Sequence, residues 1–233
     1  MTDLSRRSTE IELMDGPNTS PEDYAQALAD LASVNRVTFT HRPVLGFLNA
    51  ATHDWPPGAA LSVLDVASGQ GDLLRAIHRW ATRRGFIPQL AGVDLNPASA
   101  VQAAAATPAE MQIAWHTADV FAYTPHPSPD FIVSSQFTHH LDDEAVVAFL
   151  QWLNRTAGRG WFIADLHRHW LPYYGFRLLA YAMSWCRIVR IDGTISIARG
   201  FTAPEWRRLL TQAGLQANIR WHPMFRHGIG RLT

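Results

Sequence analysis

One stretch constrains this chain more than any other: Leu61-Ser-Val-Leu-Asp-Val-Ala-Ser-Gly-Gln-Gly-Asp72. It reads as a buried strand over 61–66, a tight glycine turn, and a helix starting at about Gln70. Leu73, Leu74, Ile77 and Trp80 fall at spacings that share one helix face. A strand entering a glycine turn at a helix N-terminus suits a nucleotide-like ligand. The glycines let backbone approach the ligand, and unpaired N–H groups point toward it. The spacing decides which nucleotide. A dinucleotide fingerprint needs a third small residue for helix–strand packing. Counting from Ala67 that residue is Asp72, and counting from Gly69 it is Leu74, so a nicotinamide or flavin dinucleotide fits poorly. The chain contains no lysine, which excludes a Walker loop and a Schiff-base lysine.

Beyond this stretch the apolar pattern alternates. A helix over 70–84 is followed by a strand at 90–94, a helix at 97–106, a strand at 112–117 and a Pro-rich loop at 124–129. Another strand at 130–134, a helix at 142–155 and a strand at 160–164 complete the run. Short apolar strands alternating with helices predict a parallel sheet covered on both faces. Ligands of such sheets bind beyond the carboxyl ends of the strands. Asp65, Asp94, Asp119, Ser134 and Asp165 all fall near those ends, which points to one site.

The set Asp65-x-Ala67-x-Gly69-x-Gly71 resembles motif I of the class I S-adenosylmethionine (SAM) methyltransferases, with Ala67 where the family has its first glycine. Leu90-Ala-Gly-Val-Asp-Leu-Asn-Pro97, Ala118-Asp-Val120 and Phe131-Ile-Val-Ser-Ser-Gln-Phe-Thr-His-His-Leu141 resemble that family's next three elements in order. The closest pattern is that of the small-molecule and quinone-biosynthesis branch. The resemblance implies an α/β, Rossmann-like, seven-stranded, mostly parallel sheet with helices on both faces and an antiparallel last strand. It implies SAM as cofactor, held by Asp65, Ala67, Ser68, Gly69, Gly71 and Asp72 of the turn. Further contacts would come from Asp94, Leu95 and Asn96, from Asp119 and Val120, and from Ser135 and Gln136. Asp94 would accept the ribose hydroxyls, while Asn96 caps the helix that starts at Pro97. Asp119 would accept from the adenine amino group, or else serve only its own turn. Asp65 and Asp72 suit the cationic end of SAM, unless Asp65 instead holds the glycine turn through backbone N–H groups.

His139 and His140 follow the fourth strand, where methyl donor and acceptor should meet. One of them could take a proton from a hydroxyl acceptor, or the pair could be structural. His167 and His169 sit at the next strand end. Asp165-x-His167-x-His169 shows no fourth clustered ligand. The metal-dependent catechol-type relatives carry an acid at the end of the fourth strand, where this chain has Ser134-Ser135-Gln136. No metal is expected.

The flanks are less specific. Ser20-Pro-Glu-Asp23 marks a helix start, and a second helix should span 42–51. Residues 1–58 would form a helical cap, and 59–233 the SAM-binding domain with a lid insertion at about 168–200. Within that lid, 169–190 is apolar nearly all round. It could wall a hydrophobic acceptor site, pack as core, or lie on a membrane surface. Thr202 and Glu205 form a capping box, and two strands over 215–221 and 225–232 should end the fold. The 17 acids and 8 arginines of residues 1–154 contrast with 3 acids and 12 arginines in 155–233. Such asymmetry marks either a partner surface or solvated arginines. A net charge of zero argues against nucleic acid, and no apolar run is long enough to span a membrane. The single Cys186 and the polar opening of the chain suggest a cytoplasmic setting. The expected function is methyl transfer to a small hydrophobic acceptor: a phenol, a quinone precursor or a polyketide. The alternatives are a non-catalytic SAM or nucleotide binder and a Rossmann oxidoreductase.

Overall fold

The computed structural model describes residues 3–16 and 19–233; Met1, Thr2, Pro17 and Asn18 of the polar opening lie outside it. Its frame is one seven-stranded sheet. In chain order the strands are β1 (Ala60–Val66), β2 (Ile87–Asp94), β3 (Ala114–Thr117), β4 (Phe131–Ser135), β5 (Gly160–Leu166), β6 (Asn218–His222) and β7 (Arg226–Leu232). Their order across the sheet is β3-β2-β1-β4-β5-β7-β6, with β7 antiparallel to both of its neighbours and the other pairings parallel. The chain winds outward from β1 to β3, then crosses to the far side of β1 as β4. The strand ends at that reversal are where an open α/β sheet leaves a crevice for ligand.

Two-residue periodicity sorts the core. Leu61 and Val63 of β1, Phe131 and Val133 of β4, and Phe162 and Ala164 of β5 face one side. There they meet α2 (Arg42–Ala51) and α3 (Asp72–Arg83). Leu64, Val66, Ile132, Trp161 and Ile163 face the other side, with α5 (Asp143–Thr156) and α8 (Ala203–Gln212). Each such side chain, withdrawn from water, contributes about 1.5–3 kcal/mol. Strands buried on both faces show up in sequence as near-continuous apolar runs.

Several local signals are realised. Ser20 caps α1 (Pro21–Val37) by accepting from the Asp23 N–H, and Asn96 caps α4 (Pro97–Ala106) by accepting from the Ala98 N–H. Glu205 closes the capping box on Thr202 and also receives the buried Arg168 guanidinium. The departures have tertiary causes. α3 starts at Asp72 rather than Gln70, because Gly71 takes a left-handed conformation as its cap (φ 75°). The apolar stretch 169–190 is two helices, α6 (Trp170–Ala182) and α7 (Arg187–Arg199). Between them Ser184 turns left-handed and the buried Trp185 stacks on Phe176. Asp30 of α1 accepts the Cys186 N–H at 2.6 Å and so fixes the start of α7. β3 begins at Ala114, since 109–111 form a 3-10 turn, and β6 begins at Asn218. Among the described residues no helix is long and apolar enough to cross a membrane. The outer face of α6 does expose Trp170, Leu171, Tyr174, Leu178 and Tyr181.

The arginine-rich C-terminal part is partly turned inward. Arg199 donates to the backbone carbonyls of His139, His140 and Glu10, and Arg168 to those of Leu4 and Gly200. Arg226 is buried against the hydroxyls of Thr38 and Thr40. These arginines hold the N-terminal segment to the domain. Ser8 N–H donates to Ala198, and Asp192 of α7 accepts the N–H groups of Leu13 and Met14. Residues 7–14 therefore lie as a strap across α7.

Candidate active site

The crevice at the strand reversal is a cavity of about 840 Å³, within the ~300–1,000 Å³ typical of small-molecule sites. Asp65, Ala67, Ser68, Gly69 and Asp72 line it from the glycine turn, and Asp94, Leu95 and Asn96 from the end of β2. Asp119, Val120, Ser135, Gln136, His139 and His140 line it from beyond β3 and β4. Of the positions that the sequence assigned to the cofactor or to His139 and His140, Gly71 alone is not part of the wall; Ser134, Asp165, His167 and His169, also noted at the strand ends, do not line it either. A Cβ on Gly71 would stand 2.1 Å from the Trp115 ring, and one on Gly92 2.7 Å from the same ring. Gly71 thus makes room for Trp115 of β3 rather than for a ligand.

The turn is strained as well as tight. Gly69 and Ala67 both take positive φ, 51° and 57°. For Ala67 this carries the left-handed penalty of about 1–2 kcal/mol. Gln136, at the end of β4, has φ 57° too. Off-minimum backbone of this kind concentrates at ligand sites.

Four carboxylates shape the electrostatics. Asp94 grips the turn: its Oδ2 accepts the Gly69 N–H at 2.9 Å and its Oδ1 the Asn96 N–H at 3.0 Å. The loop-holding carboxylate is Asp94, not Asp65. Asp65 is buried, and burial together with the charges of Asp72 and Asp94 raises its pKa well above the usual carboxylate range. Asp72 is only half-buried, and although its desolvation works the other way, hydrogen bonds from His41 (3.0 Å) and Asn35 (2.9 Å) pull its pKa down. Asp119 Oδ1 accepts the Phe121 N–H, as a turn aspartate does, while its side chain remains on the cavity wall. The cavity therefore concentrates negative charge around the turn.

The N-terminal helices divide their roles. α1 lines the cavity with Tyr24, Leu28, Leu31 and Asn35, whereas Val44 and Leu48 of α2 pack under the sheet. Tyr24 hydrogen-bonds Ser99 of α4 at 2.8 Å, and Asn35 bridges Asp72 to the Gln136 side chain. Asn35, His41 and Trp115 carry no motif and are brought in only by chain reversal.

A second, mostly apolar chamber of about 360 Å³ adjoins the first. Leu171, Phe176 and Leu179 of α6, Ile188 and Val189 of α7, and Leu31 and Val34 of α1 line it. Both cavities share Glu12, Met14, Leu31, Gln136 and Ser196, which mark their junction.

His139 and His140 stand at this junction with Glu12 of the strap. His139 is buried; its Nδ1 lies 2.7 Å from Asp165 Oδ1 and its Nε2 3.6 Å from Glu12 Oε1. Burial disfavours the charged ring, but Asp165 and Glu12 outweigh it and raise the pKa to about 9. Asp165 also accepts from the Thr138 hydroxyl and the His139 N–H. His140 is less buried and lies 3.9 Å from the other Glu12 oxygen. His167 and His169 line neither cavity: His169 caps α6, and His167 packs on His227 and Phe225.

With this geometry in hand, comparison with known proteins gives a consistent picture. A family described as a methyltransferase domain matches residues 22–218. No curated protein sequence matches the chain. Among solved structures, the plantazolicin methyltransferase BpumL in complex with S-adenosylhomocysteine (SAH) superposes with a TM-score of 0.67 at 13% identity, covering 92% of this chain and 91% of that one. Magnesium protoporphyrin IX methyltransferase from Synechocystis with bound SAM gives 0.54 at 13% identity, over 94% and 88%. Human N-acetylserotonin methyltransferase with SAM gives 0.60 at 16% identity, over 91% of this chain and 56% of that one.

Proposed function

Because the chain belongs to the methyltransferase-domain family, we propose that it transfers the methyl group of SAM to a small hydrophobic acceptor. One observation carries the reading: a cavity at the sheet reversal, lined by four aspartates, shares Glu12 and Gln136 of its wall with a mostly apolar chamber beside it. SAM fits the first by chemistry. Its sulfonium and ammonium groups suit the carboxylates of Asp65 and Asp72. Its ribose hydroxyls suit Asp94, and its adenine amino group suits Asp119. Solved relatives of the same fold that carry SAM or SAH support this assignment.

The chamber supports an acceptor that is apolar and flat or chain-like, such as a phenol, a quinone precursor or a polyketide. The helices α1, α6 and α7 would act as its lid. With SAM bound, transfer would be an in-line displacement: the acceptor's electron pair would take the methyl carbon, the sulfonium would leave as a neutral thioether, and a phenolic acceptor's proton would pass to water. The protein's contribution is to hold the two centres together and exclude water. The bound cation loses its charge in the transfer, so the carboxylates around the turn hold the donor more tightly than the product.

The test is a panel of phenols of graded apolar length incubated with the protein and SAM, read by SAH release and product mass. A mass gain of one methyl on a phenol supports the reading. Turnover confined to polar acceptors would remove the hydrophobic-acceptor assignment.

A further inference from the structure

The junction itself has a composition that methyl transfer does not require. Glu12, His139 and His140 each offer one ligand atom, and the three atoms lie within 4.8 Å of one another. We propose that they form a binding site for a divalent first-row metal ion of the zinc type, open toward the acceptor chamber. This departs from the sequence expectation of no metal, which weighed only Ser134–Gln136 and Asp165–His169.

Three features support the site. First, the separations suit ligands more than hydrogen bonds. His139 Nε2 stands 3.6 Å from Glu12 Oε1, and His140 Nε2 3.9 Å from Glu12 Oε2. Both exceed hydrogen-bond range. The two distances run to different oxygens, so the Glu12 carboxylate faces each ring with one oxygen; two ligand atoms about 2.1 Å from one zinc ion stand roughly 3.4 Å apart at a tetrahedral angle and about 4.2 Å at most. Second, the outer support is built. Asp165 Oδ1 holds His139 Nδ1 at 2.7 Å, which aims Nε2 at Glu12, and Glu12 Oε1 accepts the Ser196 hydroxyl at 2.7 Å. A carboxylate behind the distal nitrogen of a histidine is the usual support for a metal ligand. Third, two imidazoles and one carboxylate leave coordination positions open, as sites that take a substrate oxygen do. Glu12 lines both cavities, so the site lies where they adjoin.

If methyl transfer is the reaction, the open position takes the acceptor oxygen and favours its deprotonated form. That role rests on the function proposed above; the binding of the ion does not.

Titration of the metal-free full chain with cobalt(II), followed by visible absorption and calorimetry, tests the site. The expected result is one equivalent bound, with ligand-field bands of a four- or five-coordinate ion, displaced by zinc. Because His139 anchors a buried turn, the variants are E12Q and H140Q, with His167→Gln as a control remote from the site. The two site variants should each weaken cobalt binding at least about tenfold, and the control should not. Absence of stoichiometric binding by the parent chain overturns the proposal. So does binding that survives both site variants. SAH affinity, measured on the same samples, separates the outcomes: SAH binding without cobalt binding removes the metal site and leaves the methyltransferase reading intact.

Discussion

Replacing Asp94 by alanine separates cofactor binding from folding. In the protein alone, Asp94 accepts the Gly69 and Asn96 N–H groups at 2.9 and 3.0 Å. Losing both loosens the glycine turn, but water can reach this half-buried rim. The stability loss should be about 1–2 kcal/mol, or roughly 2–8 °C in Tm for a chain of this size. With SAM bound, the same carboxylate would also accept two ribose hydroxyls. Net bonds to a charged acceptor contribute about 1.5–3 kcal/mol each, and here they share oxygens already engaged. A combined loss of about 2–3 kcal/mol corresponds to roughly 30- to 150-fold weaker binding. Calorimetry with SAH, run well below the variant's Tm, measures it. A folded Asp94→Ala protein that binds SAH within about threefold of the parent would refute ribose recognition by Asp94.

Three further substitutions probe the turn. Ala67→Gly relieves a left-handed alanine at φ 57°; after the added freedom of the unfolded chain is discounted, it should gain about 0.5–1 kcal/mol, and a lower Tm would contradict the strain. Gly71→Ala drives a Cβ into Trp115 at φ 75° and should lose about 2–4 kcal/mol, partly recovered by adding Trp115→Ala. Additive losses in that double variant would mean that the two residues do not press on each other. Asp65 has a folded pKa raised above its ordinary value of 3.8, so its contribution to stability is fully present below about pH 4 and is lost as pH rises toward the folded pKa. Asp65→Asn should therefore raise Tm at alkaline pH, and parent SAM affinity should rise with pH above the ordinary carboxylate range as the cation displaces the Asp65 proton; a pH-independent affinity would disprove the coupling.

What sequence could reveal here was set by locality. The strand, turn and helix at 61–83 and the caps at Ser20, Asn96 and Thr202 are written in neighbouring residues, so they are legible. The acids at the strand ends are legible too, because a parallel sheet collects those ends by topology. Glu12 is not: it reaches His139 only because Asp192 and Arg199 fasten the strap across α7. Asn35 and His41 escape notice for the same reason, since the backbone reversal that aims them at Asp72 has no signature of its own. The break between α6 and α7 lacks glycine or proline and follows from Trp185 seating against α1, a contact between residues far apart in the chain. His139 shows the limit of motif reasoning: its position gives no hint of the buried Asp165 and Glu12 that flank the ring and raise its pKa.

The central claim is that the acid-lined cavity is built for SAM. Calorimetric titration of the intact chain with SAM, SAH and NADH under identical conditions tests it most directly. The account predicts one equivalent of SAM and of SAH bound with micromolar-range affinity, and no heat with NADH. Saturable NADH binding with no response to SAM or SAH would contradict it.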